Sequence, residues 1–409
     1  MFNQGGLSLE QAPPISVVLR FFITASIFGI VAGVLLLIFG KEVFDTSNKE
    51  ALIITHILAL GVMASFMLGA LFQMLPVIAG VVLKSPSKKA MFVHLTFTVG
   101  VIMIALAFYT SSSYLYLISA LFLGASLLFT TAIMISNLFK LQTHSSSSKG
   151  MLFALSGFTI AIILGLYLLL ALGGYHDGVN FVEVKKAHYS FGLFGWVSLL
   201  IISISYQVIE MFYVTPKYPD IMRKYLVMIL FGLLLLTPFI PPIMIALLLI
   251  TYAIMTLLRL SKRKRPTSDG TVWFWRLGMG MLLVSMAIMI ADREVLKSLN
   301  YLTFIFFALS IVFAMVYKIV PFLVWFHLSN QGYMSAPLMF DIVHPKEIKQ
   351  HFYLHIATFI LWVLSLTHES FIIPASLFVI LSFSLLLYRL LKAVKMYRHT
   401  QKHTEKIQW

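Results

Sequence analysis

The 409-residue chain contains no cysteine. Disulfides, thiolate metal sites, iron–sulfur clusters, cysteine-attached haem and palmitoylation are therefore excluded. Charge is the second scarcity. Only 11% of the residues are Asp, Glu, Lys or Arg, against roughly a quarter in soluble domains, which excludes a water-soluble fold. Acids are the rarer sign, 15 against 30 Lys and Arg, so few carboxylates are available to couple ion movement inside a membrane. No G-x-x-x-x-G-K-[ST] run occurs either, which argues against an ATP-driven pump.

Apolar residues are abundant, at 60% of the chain with a mean hydropathy of +0.95. At about 20 residues per crossing, this length holds roughly a dozen spans and little else. The apolar runs predict helices over 16–40, 51–83, 90–110, 113–138, 150–173 and 187–213. Six more follow over 222–239, 241–259, 272–291, 298–326, 351–367 and 370–394. The expected fold class is an all-α integral membrane protein of about 12 spans, one polytopic domain over 1–409. Between the seventh and eighth helices, Thr237-Pro238-Phe239-Ile240-Pro241-Pro242 predicts a tight hairpin, because proline removes donors and clashes with the preceding turn. Ser145–Ser148 reads as a flexible loop, 328–350 as the longest loop with room for a short interfacial helix, and 395–409 as a basic tail. No internal repeat is evident.

Basic residues set the expected orientation. Alternate loops hold Lys84, Lys88 and Lys89, then Lys140 and Lys149, then Lys217, Arg223 and Lys224. The same side holds Arg259, Lys262, Arg263, Lys264 and Arg265, and the tail from Arg389 to Lys406. The opposite loops hold Lys41, Lys49, Lys185, Lys186, Arg293 and Lys297, mixed with acids. The positive-inside rule then places both termini in the cytoplasm, with the chain in the plasma (inner) membrane. Met1 to Ser16 lacks the basic region and cleavage site of a signal peptide, so the first helix is expected to be retained. The net charge of +15 belongs to topology. The bilayer is the expected partner, and neither nucleic acid nor nucleotide is.

Ionisable residues inside spans are costly and are functional candidates by default. His56 sits near the outer face at the head of a stripe with Leu60, Met63, Met67, Ala70 and Met74. Imidazole and thioether suit a soft metal or a macrocycle; equally, methionine fills gaps between helices. On the sixth helix His188, Gly192, Gly195, Tyr206 and Glu210 share a face. The glycines admit either a flat cofactor or another helix. Tyr206, Gln207 and Glu210 either begin a proton path or mark the membrane boundary. His351 and His355, four apart on the eleventh helix, are spaced as two ligands of one metal or as a solvated interfacial pair. His94 lies at similar depth and joins them only if its helix is a neighbour. His144, His176, His344, His368, His399 and His403 fall in loops, the tail or helix ends.

The run His188-Tyr-Ser-Phe-Gly-Leu-Phe-Gly-Trp196, continuing to Tyr206-Gln207-Val-Ile-Glu210, resembles a segment of haem–copper oxidase subunit I-like membrane proteins. So do His56-Ile-Leu-Ala-Leu-Gly61 with Met67 to Pro76, and Tyr317-Lys-Ile-Val-Pro-Phe-Leu-Val-Trp325. The motifs cover about a fifth of the chain; the twelve-helix plan also resembles that of the NnrS-like proteins of nitric-oxide stress. The resemblance implies haem b and/or copper, with His56 as an axial haem ligand and His188 as a copper ligand. It also implies a redox partner protein and a role in nitric-oxide or metal handling. The departures are informative. The seventh helix has no histidine, the tenth has none before His327, and Gly192 stands where a tyrosine would follow the sixth-helix histidine. A complete oxygen-reducing centre is therefore not expected. Two alternatives stay open: a secondary transporter of a small solute, metal or haem, and an assembly factor without cofactor.

Overall fold

The computed structural model describes residues 12–81, 83–237, 239–264 and 268–406. The readings placed on Met1 to Gln11, Pro238, Arg265 and the last three residues of the tail lie outside this range. Among the described residues every regular element is helical. Twelve main helices follow in order: α1 (Ile15–Phe39), α2 (Lys49–Ala79), α3 (Pro86–Thr110), α4 (Ser113–Phe139), α5 (Ser146–Leu172) and α6 (Phe181–Tyr213). Then come α7 (Asp220–Leu235), α8 (Ile243–Ser261), α9 (Gly270–Ala291), α10 (Lys297–Asn330), α11 (Pro345–Ser365) and α12 (Ile372–His403).

Ten helices of the described chain are long and apolar enough to cross a membrane. The other two are α7, which has 16 residues, and α11. The first half of α11 is polar, with Lys346, Glu347, Lys349, Gln350, His351 and His355. The protein is thus a helical, multi-pass membrane protein.

Helix ends explain two differences from the sequence reading. Ser145–Ser148 is not a flexible loop: the Ser145 hydroxyl accepts from the Ser148 amide at 3.1 Å, capping α5, and the serines that follow form its first turn. The loop expected over 328–350 is shorter, because α11 starts at Pro345. There the His344 ring accepts from the Lys346 amide, and Glu347 accepts from the His344 amide at 3.0 Å. One helical turn, Met339–Ile342, interrupts what remains of the loop.

The chain divides into two compact units. One holds Leu71–Pro266 and Met279–Phe304; the other holds Pro14–Ala70, Thr267–Gly278 and the chain from Ile305 onward. In the first unit α3 packs on α4, α4 on α5, and α5 along α6. In the second, α1 and α11 both pack on α12. The α1–α12 contact is close because Gly29 has no Cβ and the Phe383 ring fills that space.

The helix boundaries also reveal a repeat. Every fourth helix from α2 carries the same pentad, an aromatic residue, Gln or Lys, two apolar residues, then Pro or Glu. It reads Phe72-Gln-Met-Leu-Pro76 in α2, Tyr206-Gln-Val-Ile-Glu210 in α6 and Tyr317-Lys-Ile-Val-Pro321 in α10. A small residue precedes the Gln or Lys by four in each, at Gly69, Ser203 and Ala314. Only the helix order brings the three pentads into register, since the chain between them varies in length.

Candidate histidine sites

Two helices are locally widened. Ile57–Ala64 in α2 and Phe191–Ser198 in α6 form π-helical turns, which are rare and recur at functional sites. Each begins within three residues after a candidate histidine. A serine just after the first turn and one at the end of the second donate back five residues, Ser65 to the Leu60 carbonyl at 3.5 Å and Ser198 to the Leu193 carbonyl at 3.0 Å.

The histidines ahead of these turns share one geometry. The Nδ1 of His56 is 2.8 Å from the Leu52 carbonyl of its own helix. The Nδ1 of His188 is 2.9 Å from the Ala161 carbonyl on α5. A carbonyl only accepts, so in the neutral ring the proton sits on Nδ1 and the lone pair on Nε2. That tautomer, held by a backbone carbonyl, is the form in which histidine ligates a metal. His188 is further placed by Gly165, a residue the sequence reading missed. A Cβ there would lie 2.7 Å from the ring Cε1. The legible signal was a glycine one turn from Ala161 on a neighbouring span.

The glycines of α6 have different roles. Gly195 is a helix contact, because its carbonyl occupies the space a Cβ on Gly157 of α5 would need. Gly192 is open, and a Cβ there would meet nothing within 4 Å. Beside it, Trp196 stacks on Phe158 at 4.1 Å, and its buried indole N–H has no acceptor. In α2, Gly61 holds the position in its turn that Gly195 holds in α6, and it too is a helix contact, with the Phe28 ring 2.8 Å from where its Cβ would be. Met63, Met67 and Met74 are buried. Met63 lies seven residues beyond His56, roughly 10 Å along the helix. Both side chains lean toward the helix N-terminus, so they do not converge on one ion.

Tyr206, Gln207 and Glu210 lie at the end of α6. The buried Tyr206 hydroxyl donates to the Met222 carbonyl at 3.2 Å, and Glu210 accepts the Tyr218 amide at 3.1 Å. Both tie down the segment leading into α7. Tyr218 packs edge-on against Tyr206, its hydroxyl 3.0 Å from that of Thr256, and burial raises its phenol well above the ordinary tyrosine value.

His351 and His355 are not a solvated pair. They are 0% and 2% exposed in the second unit. The Nδ1 of His351 lies 2.7 Å from the Tyr317 hydroxyl, and its Nε2 lies 2.8 Å from the Ser382 hydroxyl. The Nε2 of His355 is 3.0 Å from the Ser310 hydroxyl. Phe313 packs against both rings at 4.7 and 5.2 Å. Burial follows from helix phase: these histidines lie on the face of α11 turned to α10 and α12, where hydroxyls satisfy them. His94 is half-buried in the first unit, whereas the pair belongs to the second. His56 and His188 are likewise divided between the two units.

No group of three His, Asp or Glu side chains positioned to hold a metal ion occurs among the described residues. A haem takes from the chain as little as one axial imidazole, and His188 beside the open Gly192 fits that need. Compared with known proteins, the sequence matches no family model and no curated relative.

Proposed function

We propose that this chain is a twelve-span protein of the plasma (inner) membrane that holds haem b, with His188 as the side chain that would hold its iron. The observation that carries the reading is the locked Nδ1–H tautomer of His188 beside the open Gly192 in a π-helical turn. His56, fixed by the same kind of bond in the other unit, is the alternative ligand. Both termini are on the cytoplasmic side, as the basic loops require, and α7 and α11 complete the count of twelve. Bound haem supplies one-electron transfer or binding of a diatomic gas. The chain's own part is to orient imidazole through Ala161, to leave room at Gly192 and to exclude water with apolar helices. The resemblance to NnrS-like proteins extends the proposal to nitric-oxide handling with an electron-donating partner.

The test is an absorption spectrum of the purified protein, oxidised and dithionite-reduced, with metal analysis of the same sample. A reduced haem b band that His188→Ala abolishes is the expected result. Stoichiometric copper without that band would replace haem by copper. Neither group after haem-replete expression would remove the proposal.

A further inference from the structure

The polar interior of the second unit lies outside the haem reading and is independent of it. On α11 the buried positions are Ile348, His351, His355, Thr358, Trp362 and Ser365, spaced by threes and fours along one face. Tyr353, Ile360 and Leu364 of the same helix are exposed. From His351 onward the helix therefore buries most of its polar side chains and exposes apolar ones, the inverse of a soluble helix. In a membrane protein that pattern marks a pathway through the bundle.

The neighbours continue it. Glu347 ends the row, its Oε1 accepting from Arg389 and from Lys392 at 3.4 Å. One turn on, His351 bridges the Tyr317 and Ser382 hydroxyls, and a turn further His355 meets Ser310. Buried hydroxyls follow at Thr358 and Ser365 of α11 and at Ser376 of α12, each donating to a carbonyl of its own helix and keeping its lone pairs to accept. From Glu347 to Ser365 the row rises about 27 Å, close to the hydrocarbon thickness of a bilayer. Both α10 and α12 are long and apolar enough to span, and hydrogen bonds from both hold α11 at their depth.

We propose that this seam of α10, α11 and α12 conducts protons across the membrane, with the Glu347–Arg389–Lys392 cluster closing one mouth. His351 carries the central step, since a hydroxyl both donates and accepts. Tyr317 donates its proton to Nδ1 and takes one from the side of the Glu347 mouth, while Nε2–H passes one to Ser382, which releases its own onward; a flip of the ring with the turning of both hydroxyls restores the starting tautomer. The roughly 6 Å turn between His351 and His355, where Phe313 packs on both rings, is the step at which conduction needs a water to enter. Nothing is oxidised or reduced, and each proton accepted at one end is released at the other. The charged groups facing the seam are Glu347, Arg389 and Lys392, all at its mouth. Phe274, Phe306, Phe313 and Phe383 keep the rest apolar.

The experiment uses the full chain in liposomes loaded with a pH-sensitive dye, with valinomycin and a potassium gradient as the driving force. Protein-dependent proton uptake is expected, reduced about tenfold or more in His351→Phe and His355→Leu. Tyr317→Phe and Ser382→Ala each remove one hydroxyl with little change in shape, and they decide the matter if the histidine variants misfold. Lys41→Ala, on a surface pair away from the seam, is expected to conduct as the parent does. Proton entry no faster than in empty liposomes overturns the proposal. So does uptake unchanged by Tyr317→Phe and Ser382→Ala. The haem spectrum is read on the same samples, so loss of one property does not masquerade as loss of the other.

Discussion

His188 and His351 are both histidines of membrane helices, and their surroundings give them different chemistry. His188 is held on one side by a backbone carbonyl, which fixes its proton on Nδ1. His351 lies between two hydroxyls, each able to donate or accept, so neither ring nitrogen is committed. A fixed tautomer suits ligation; an uncommitted one suits proton exchange. The distinction rests on the partner, and the partner comes from another helix in both cases.

The sharpest way to break this comparison is to remove each ring. His351→Phe keeps the volume but leaves the Tyr317 and Ser382 hydroxyls buried without their partner. The expected loss is about 2–4 kcal/mol, from roughly 1–3 kcal/mol per unsatisfied buried group, read as a lower unfolding temperature in detergent. His188→Ala should abolish the haem band and destabilise the apoprotein less than His351→Phe does. The reverse order would mean that His188 is structural.

Next in size is Gly165→Ala. Its methyl would lie 2.7 Å from the His188 ring, and overpacking of this kind costs about 1–3 kcal/mol. A shifted or weakened haem band is expected, with the seam's proton flux unchanged. An unaltered band would show that the ring has slack.

A smaller effect is expected from Asp269, which pairs with Lys318 at 2.5 Å and accepts from Thr271 at 2.7 Å. Partial burial favours the neutral acid. The Lys318 charge and the hydrogen bonds outweigh it and hold the carboxyl below the ordinary 3.8. The group protonates less readily folded than unfolded, so its stabilisation is complete above 3.8 and fades as pH falls below that value. Asp269→Asn should lower the unfolding temperature at pH 6 by the equivalent of about 1–2 kcal/mol and flatten its fall in acid. Smallest of all is Lys41→Ala. The Lys41–Glu369 pair is well exposed, and its removal is expected to leave the unfolding temperature unchanged.

The fold was largely legible. Each predicted span overlaps an observed helix, because a window of apolar residues has few other solutions in a bilayer. The misses were polar and local. Ser145–Ser148 looked like a loop because serine is common in loops, yet Ser145 is equally good as a helix cap. The pentad repeat was hidden by uneven chain lengths between α2, α6 and α10.

The candidate site was half legible. His56 and His188 stood out as ionisable residues in apolar runs. Their π-helical turns left no trace beyond glycine, since the widening is stabilised by packing and by the back-donating serines. Gly165 was unremarkable until the His188 ring was found against it. His351 and His355 were recognisable as a pair one turn apart, but whether that face met water, metal or protein depended on which helices flank α11.

Composition and apolar period alone determined that this chain is a helical membrane protein without thiol chemistry, because hydrophobic transfer acts on each segment by itself. What each histidine can do was decided only by the tertiary structure. Ala161 is 27 residues from His188, and Tyr317 is 34 from His351. A ring's tautomer follows from the donor or acceptor within 3 Å of it, and folding alone supplies that neighbour.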